Sequence, residues 1–188
     1  MESETIVSIL VGVALAAACG FRVFVPLLVM SIASYAGHLS LGSGFEWMGT
    51  LPALVAFGVA TVVEIAGYYI PWVDHMLDVI ATPAAVVAGS IAMASSVVGM
   101  SPFLQWTLAI IAGGGIAGLV QAFTGVTRIT SSVSTGGSGN PVVSTAEAGG
   151  AVTLSVLAIL VPFVAAALVA VVLVVSIRIL YKKLIRTP

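Results

Sequence analysis

Five apolar runs, at residues 5–37, 48–70, 77–98, 103–126 and 142–181, leave this chain almost nothing from which to build a water-facing surface. A straight helix crosses the ~30 Å hydrocarbon core of a bilayer with about 20 apolar residues, and every run is that long or longer. Composition closes the alternative. The 188 residues are 60% hydrophobic and only 7% charged, whereas a soluble domain averages about 25% charged residues. The solvent implied is lipid, and the chain reads as one integral membrane domain over 1–188. Membrane barrels need alternating segments of about ten residues. These runs are uniformly apolar, so the expected fold is all-α, a polytopic transmembrane helical bundle.

The first and last runs are nearly twice the length of one crossing. Cys19-Gly20-Phe21-Arg22 and Pro26 divide the first into helical pieces expected at about 5–18 and 23–37, hinged or re-entrant. Pro162 interrupts the last run, where it removes a helix hydrogen bond and favours a kink or turn. Tyr68, Tyr69, Trp72 and Trp47 flank the runs and read as interfacial anchors, with Trp106 near another boundary. Arg178, Lys182, Lys183 and Arg186 make the C-terminal end basic. Basic flanks face the cytoplasm, so a multi-pass inner-membrane protein with a cytoplasmic C-terminus is expected. MESET lacks the basic start of a cleavable signal peptide.

Six ionisable residues do not belong in such sequence: Arg22, Glu64, Asp74, Asp78, Arg128 and Glu147. A charge at the centre of a membrane helix costs about 2.5–3.5 kcal/mol on insertion scales. Six unrelieved would approach the whole stability of a domain, about 5–15 kcal/mol. They must pair, reach water or become neutral. Neutralisation is closed to arginine, so Arg22 and Arg128 need partners, and Glu64 and Glu147 are the natural ones. A glutamate left over would be a candidate proton carrier. Asp74 and Asp78, four apart, share a helix face. Asp74 also suits a helix first turn after Pro71. His75 and His38 read as interfacial or loop residues, and no metal site is expected.

Between two lipid-like runs lies TGVTRITSSVSTGGSGNPVVSTAEAGG (124–150). Gly136, Gly137 and Gly139 weaken any helix there, and Asn140-Pro141 looks like an N-cap followed by proline at the first helical position. A helix should end near Ser134, and another should start at Pro141. Irregular backbone at membrane depth survives only where protein covers it or it lines a watery cavity. Opposed helix ends beside hydroxyls are a recurrent transporter site. Ser134, Thr135 and Asn140 therefore join the charged residues as candidates for a solute or ion pathway. The alternative is an ordinary polar loop outside the bilayer. Gly12, Ala16 and Arg22 recur in spacing as Gly118, Ala122 and Arg128, as an inverted repeat would leave them.

Net charge of −1 supplies no field for nucleic acid. The lone Cys19 supports neither an internal disulfide nor a redox pair and reads as apolar filler. No cofactor fingerprint or HExxH is present, so no cofactor is expected, and an enzyme is the least supported class.

Three patches resemble a bacterial membrane family known as domain of unknown function 4126: CGFRVFVPLL (19–28), the series Glu64, Ile70-Pro71, Asp74 and Asp78, and STGGSGNPVVS (134–144) with Glu147 close behind. Where that family carries Ala-Asp-Lys before Ile-Pro, this chain has Gly67-Tyr68-Tyr69, so one acid–base pair is missing. The resemblance implies no activity. The expectation is a small transporter or channel for an ion or small polar solute, proton-coupled through Glu64 or Glu147. Its rival is an assembly subunit whose charges only fix helix packing. Small size and Gly-rich faces suit a homo-oligomer under either.

Overall fold

A computed structural model describes residues 2–186, apart from the side chains of Glu2, Pro71, His75 and residues 183–186. Expectations resting on the side chains of His75, Lys183 and Arg186 thus lie outside the described residues. The elements are α1 (Glu2–Cys19), α2 (Phe24–Tyr35), a 3-10 turn (Glu46–Gly49), α3 (Leu51–Gly67), α4 (Pro71–Ser96), α5 (Pro102–Leu108), a π-helical turn (Ala109–Gly114), α6 (Gly115–Thr135), α7 (Asn140–Leu160) and α8 (Pro162–Arg186). No strand occurs among the described residues.

Four segments are long and apolar enough to cross a membrane: Trp72–Ser96, Pro102–Thr135, Asn140–Leu160 and Pro162–Lys182. Ser3–Cys19, Phe24–Tyr35 and Leu51–Gly67 are shorter apolar helices. Large apolar side chains cover the outside of the bundle, Val79 at 78% exposure among them. Water would penalise that surface, at roughly 25 cal/mol per Å². The chain is a multi-pass helical membrane protein.

Proline starts most of these helices. It stands in the first two positions of α3, α4, α5 and α7, where its missing N–H would have had no intrahelical partner. Before Pro162 the chain leaves helical geometry for one residue, Val161 (φ −142°, ψ 70°), and α8 then packs on α1 and α6. Pro26, in contrast, sits within the first turn of α2, and the break it was expected to share falls wholly at 20–23.

α1 is the axis of the bundle. Ala14 through Cys19 are fully buried, with Cys19 packed as filler. α1 touches α4, α6, α7 and α8. It runs antiparallel to α4, with Ser8 opposite Val98 at one end and Ala16 opposite Gly89 further along. Backbones approach closely where α4 crosses the π-helical turn. A methyl group on Gly89 would lie 2.4 Å from Ala117 Cβ and 2.9 Å from the Gly113 carbonyl oxygen. Small residues let membrane helices approach this closely, replacing with packing contacts the hydrophobic force that lipid does not supply.

α6 ends where the glycines begin. Its C-cap, Gly136, adopts the left-handed conformation at φ 62°, and Gly137 follows at φ 87°. Glycine has no Cβ to clash there. α7 then begins at Asn140, so the two helix boundaries fall within a residue or so of those expected.

Candidate functional site

The breaks and turns at one end of the bundle bring the unexpected charges together. Arg22 stands in the break at 20–23, between the end of α1 and the start of α2. Arg128 precedes the last residue of α6 by seven positions, about 10 Å at ~1.5 Å per residue. Asp74 and Asp78 lie in the first two turns of α4, and Ser144 and Glu147 in the first two turns of α7. Antiparallel packing of α6 against α4 and α7 therefore places all of them at one level.

Arg128 is the hub. It is 2% exposed, so each of its donors needs a protein acceptor. Nη1 donates to Asp74 Oδ1 at 2.5 Å, Nε reaches both Glu147 oxygens at 3.1 and 3.2 Å, and Nη2 donates to Ser144 Oγ at 3.0 Å. Nη2 also bonds Glu147 Oε2 directly. Asp78 Oδ1 lies 3.7 Å from Nε. The planar fork of five donors suits arginine to such multi-acceptor pairing and excludes lysine.

Arg22, also buried, approaches the same two residues from the other side. Its Nη2 donates to the Ser144 carbonyl at 2.9 Å and to Ser144 Oγ at 2.8 Å, and lies 3.3 Å from Glu147 Oε2. Both guanidinium groups rest over the Tyr68 ring, their Cζ atoms 3.8 and 4.1 Å from its centroid. A desolvated cation over an aromatic face is worth up to about 2 kcal/mol. Tyr68 is thus buried and structural, correcting its reading as an interfacial anchor. Tyr69 and Trp72 are exposed. The Tyr69 hydroxyl meets Thr145 Oγ1 at 2.7 Å.

Two further expectations need correction. Among the described residues Glu64 pairs with no arginine within ion-pair distance. Its oxygens instead accept Val23 N–H at 2.8 Å and Phe24 N–H at 3.0 Å. It caps α2 from another helix, filling the role that a local N-cap side chain would play. Asn140 does not cap α7. Its Nδ2 donates to Asp74 Oδ2 and to Ser132 Oγ, both at 3.0 Å, bracing α4 to the α6–α7 turn. Ser134 and Thr135 do not reach the charges. Ser134 Oγ bonds back to Thr130 O, and Thr135 Oγ1 donates to Ser131 O while accepting Gly139 N–H. Ser144, which the sequence did not single out, and Tyr68, read there as an anchor, hold central places.

A cavity of about 360 Å³ opens above the cluster, lined by Tyr68, Tyr69, Asp74, Asn140, Pro141 and the turn at 136–138. It joins the glycine-rich turn to the Asp74 end of the network. Ion pairs join the two guanidinium groups to three carboxylates, Asp74, Asp78 and Glu147, a formal surplus of one negative charge, and Asp74 lines the cavity. Among the described residues no group of three or more His, Cys, Asp or Glu side chains could hold a metal ion.

Fold and site together define a multi-pass helical membrane protein, braced near one end by a buried network of arginines and carboxylates. The chain belongs to the family described as Domain of unknown function (DUF4126), which matches residues 9–182. No curated protein and no solved structure matches it.

Proposed function

We propose that this protein is a small inner-membrane carrier or channel, and that a cation or small polar solute enters at the 360 Å³ cavity above Asp74. The observation that carries the reading is the surplus of carboxylates over arginines in a buried network open to that cavity. A low-dielectric site with excess negative charge lowers its energy by taking up a cation or a proton. Glu64 and Glu147 are the proposed coupling carboxylates. Arg22 and Arg128, which both reach Glu147 and share the same Gly-Ala-Arg spacing, support an inverted repeat of the kind carriers use. α7 and α8 are each long enough to cross. Two crossings would then separate the 136–139 turn from the basic tail, so the cavity faces the cytoplasm with the C-terminus.

The test is flux into proteoliposomes under imposed gradients of sodium, potassium, protons and small polar solutes, comparing the wild type with Glu64→Gln and Glu147→Gln. Flux that falls in either variant supports the reading. Flux unchanged in both rejects coupling through these carboxylates, and its absence for every solute rejects transport.

A second reading is favoured by one specific observation: every Arg128 nitrogen is engaged. A saturated hub suits an assembly subunit whose charges only lock helices. It requires no flux, and restored stability when a paired arginine and glutamate are exchanged. A homo-oligomer is compatible with both.

A further inference from the structure

A second cavity, about 670 Å³, lies between α3 and α4. The helices meet at Gly67, where a methyl group would come within 2.8 Å of Leu77 Cδ1. Beyond that point they touch little, and the result is a wedge-shaped groove. Its walls are apolar: Ala56, Val59 and Val63 on α3, and Leu77, Ile80 and Ala84 on α4. Among the described residues its titratable lining groups, Glu64 and Tyr68, stand near the narrow end.

We infer that this groove is a lipid site for a single-tailed amphiphile with a hydroxyl or amine head, its tail between α3 and α4 and its head at Glu64. The inference does not depend on transport. Pockets of ~300–1,000 Å³ with apolar walls and few polar groups are the usual form of a small-molecule site. The walls are continuous with exposed apolar faces, Val59, Val63 and Ile80 being exposed, so the bilayer itself supplies the occupant. Polarity runs as a lipid's does. The narrow end lies at the 68–70 turn, with Tyr69 and Trp72 exposed beside it as interfacial residues are, and the wide end extends along the helices.

Charge selects the head. Each Glu64 oxygen accepts one backbone amide, and an ionised carboxylate has about four lone-pair sites. Glu64 therefore keeps acceptor capacity for an O–H or N–H donor. The surplus of carboxylates behind it repels a phosphate, sulfate or carboxylate head.

The test uses the full-length protein in phosphatidylcholine nanodiscs and three photoactivatable probes sharing a hexadecyl chain, with an alcohol, amine or sulfate head. Mass spectrometry maps the labelled peptides. The alcohol and amine probes should label 56–63 and 77–84, and the sulfate probe about tenfold less, as expected for a charge repelled at low effective dielectric. Ala60→Trp, which fills the groove, should cut labelling about tenfold at constant unfolding temperature. Ala84→Trp, on the opposite wall, serves if Ala60→Trp does not fold. Val171→Trp, on an exposed face of α8, should change nothing. Labelling spread over α8 in proportion to exposed area would show ordinary annular lipid and overturn the site. Labelling that survives both groove-filling substitutions, or equal labelling by the sulfate probe, would overturn it as well.

Discussion

Arg128→Met isolates the hub of the network. The substitution keeps a flexible apolar side chain of comparable length and removes every donor. Glu147 would retain Arg22 Nη2 at 3.3 Å, and among the described side chains Asp74 would retain Asn140 Nδ2 at 3.0 Å alone. Removing one partner of a buried ion pair costs about 3–5 kcal/mol, because the other charge stays desolvated. Arg22→Met is a milder change. It frees Ser144, which is neutral, and leaves Glu147 on Arg128, so a loss of about 1–2 kcal/mol is expected, near that of a hydrogen bond involving a charged group. Reversible unfolding of the purified protein in mixed micelles, followed by tryptophan fluorescence, reads both values. Two double variants sharpen the assignment. Adding Asp74→Asn to Arg128→Met removes the charge left without a counter-ion and should recover more stability than adding Glu147→Gln. An Arg128→Met loss below about 1 kcal/mol, or no larger than that of Arg22→Met, would refute the assignment of Arg128 as hub.

Glu64→Ala removes the carboxylate from the first amides of α2 and should cost about 1–2 kcal/mol, as the loss of a helix cap does. Hydrogen exchange at Val23 and Phe24 should quicken, with Glu64→Gln intermediate. Tyr68→Phe keeps the ring under both guanidinium groups and should unfold as the wild type does. Tyr68→Leu should lose about 1–2 kcal/mol in the same assay. Gly89→Ala forces a methyl group to within 2.4 Å of Ala117 Cβ and should destabilise by about 1–3 kcal/mol. Gly125→Ala, with nothing within 4 Å of the added atom, should stabilise α6 by up to about 1 kcal/mol. Thermal unfolding of the pair checks the contrast.

The helical membrane class was legible because the bilayer acts on every residue of a run at once, so hydropathy averaged over a crossing carries the answer. The helix ends at 19–24 and 135–140 were legible too, since glycine and proline act on their own backbone. Partner choice was not. Glu64 and Glu147 look alike in sequence, yet Glu64 is within reach of the free amides that begin α2, and Glu147 lies between two arginines. Asn140-Pro141 has the form of an N-cap, but a buried aspartate on another helix competes for the asparagine amide and wins. Tyr68 looked like its neighbour Tyr69 because a tyrosine at the end of an apolar run suits an interface or a cation–π contact equally. The difference is set by which way α3 turns its last residues. At Ser134 and Thr135 the sequence did not show that the hydroxyls bond back to the preceding turn, as hydroxyls near a helix end readily do.

The placement of the charges separates cohesion from excess. Asp74 lies in the first turn of α4, and Glu64 covers the first amides of α2, where the helix dipole favours negative charge. Arg22 follows the end of α1, where the dipole favours positive charge. Each of these groups is sited so that a helix end lowers its cost, as a device for holding helices together would require. Glu147 lies beyond the first turn of α7, where the dipole has faded, and depends on the arginines instead. A lock of this kind works best with charges matched one to one, because each unmatched buried charge weakens it. Two arginines would lock with two carboxylates, and this network gathers three, Asp74, Asp78 and Glu147, beside a cavity bordered by the glycine turn. The surplus is what helix packing alone does not require. The proposed uptake of a cation or proton at this end of the bundle rests on it.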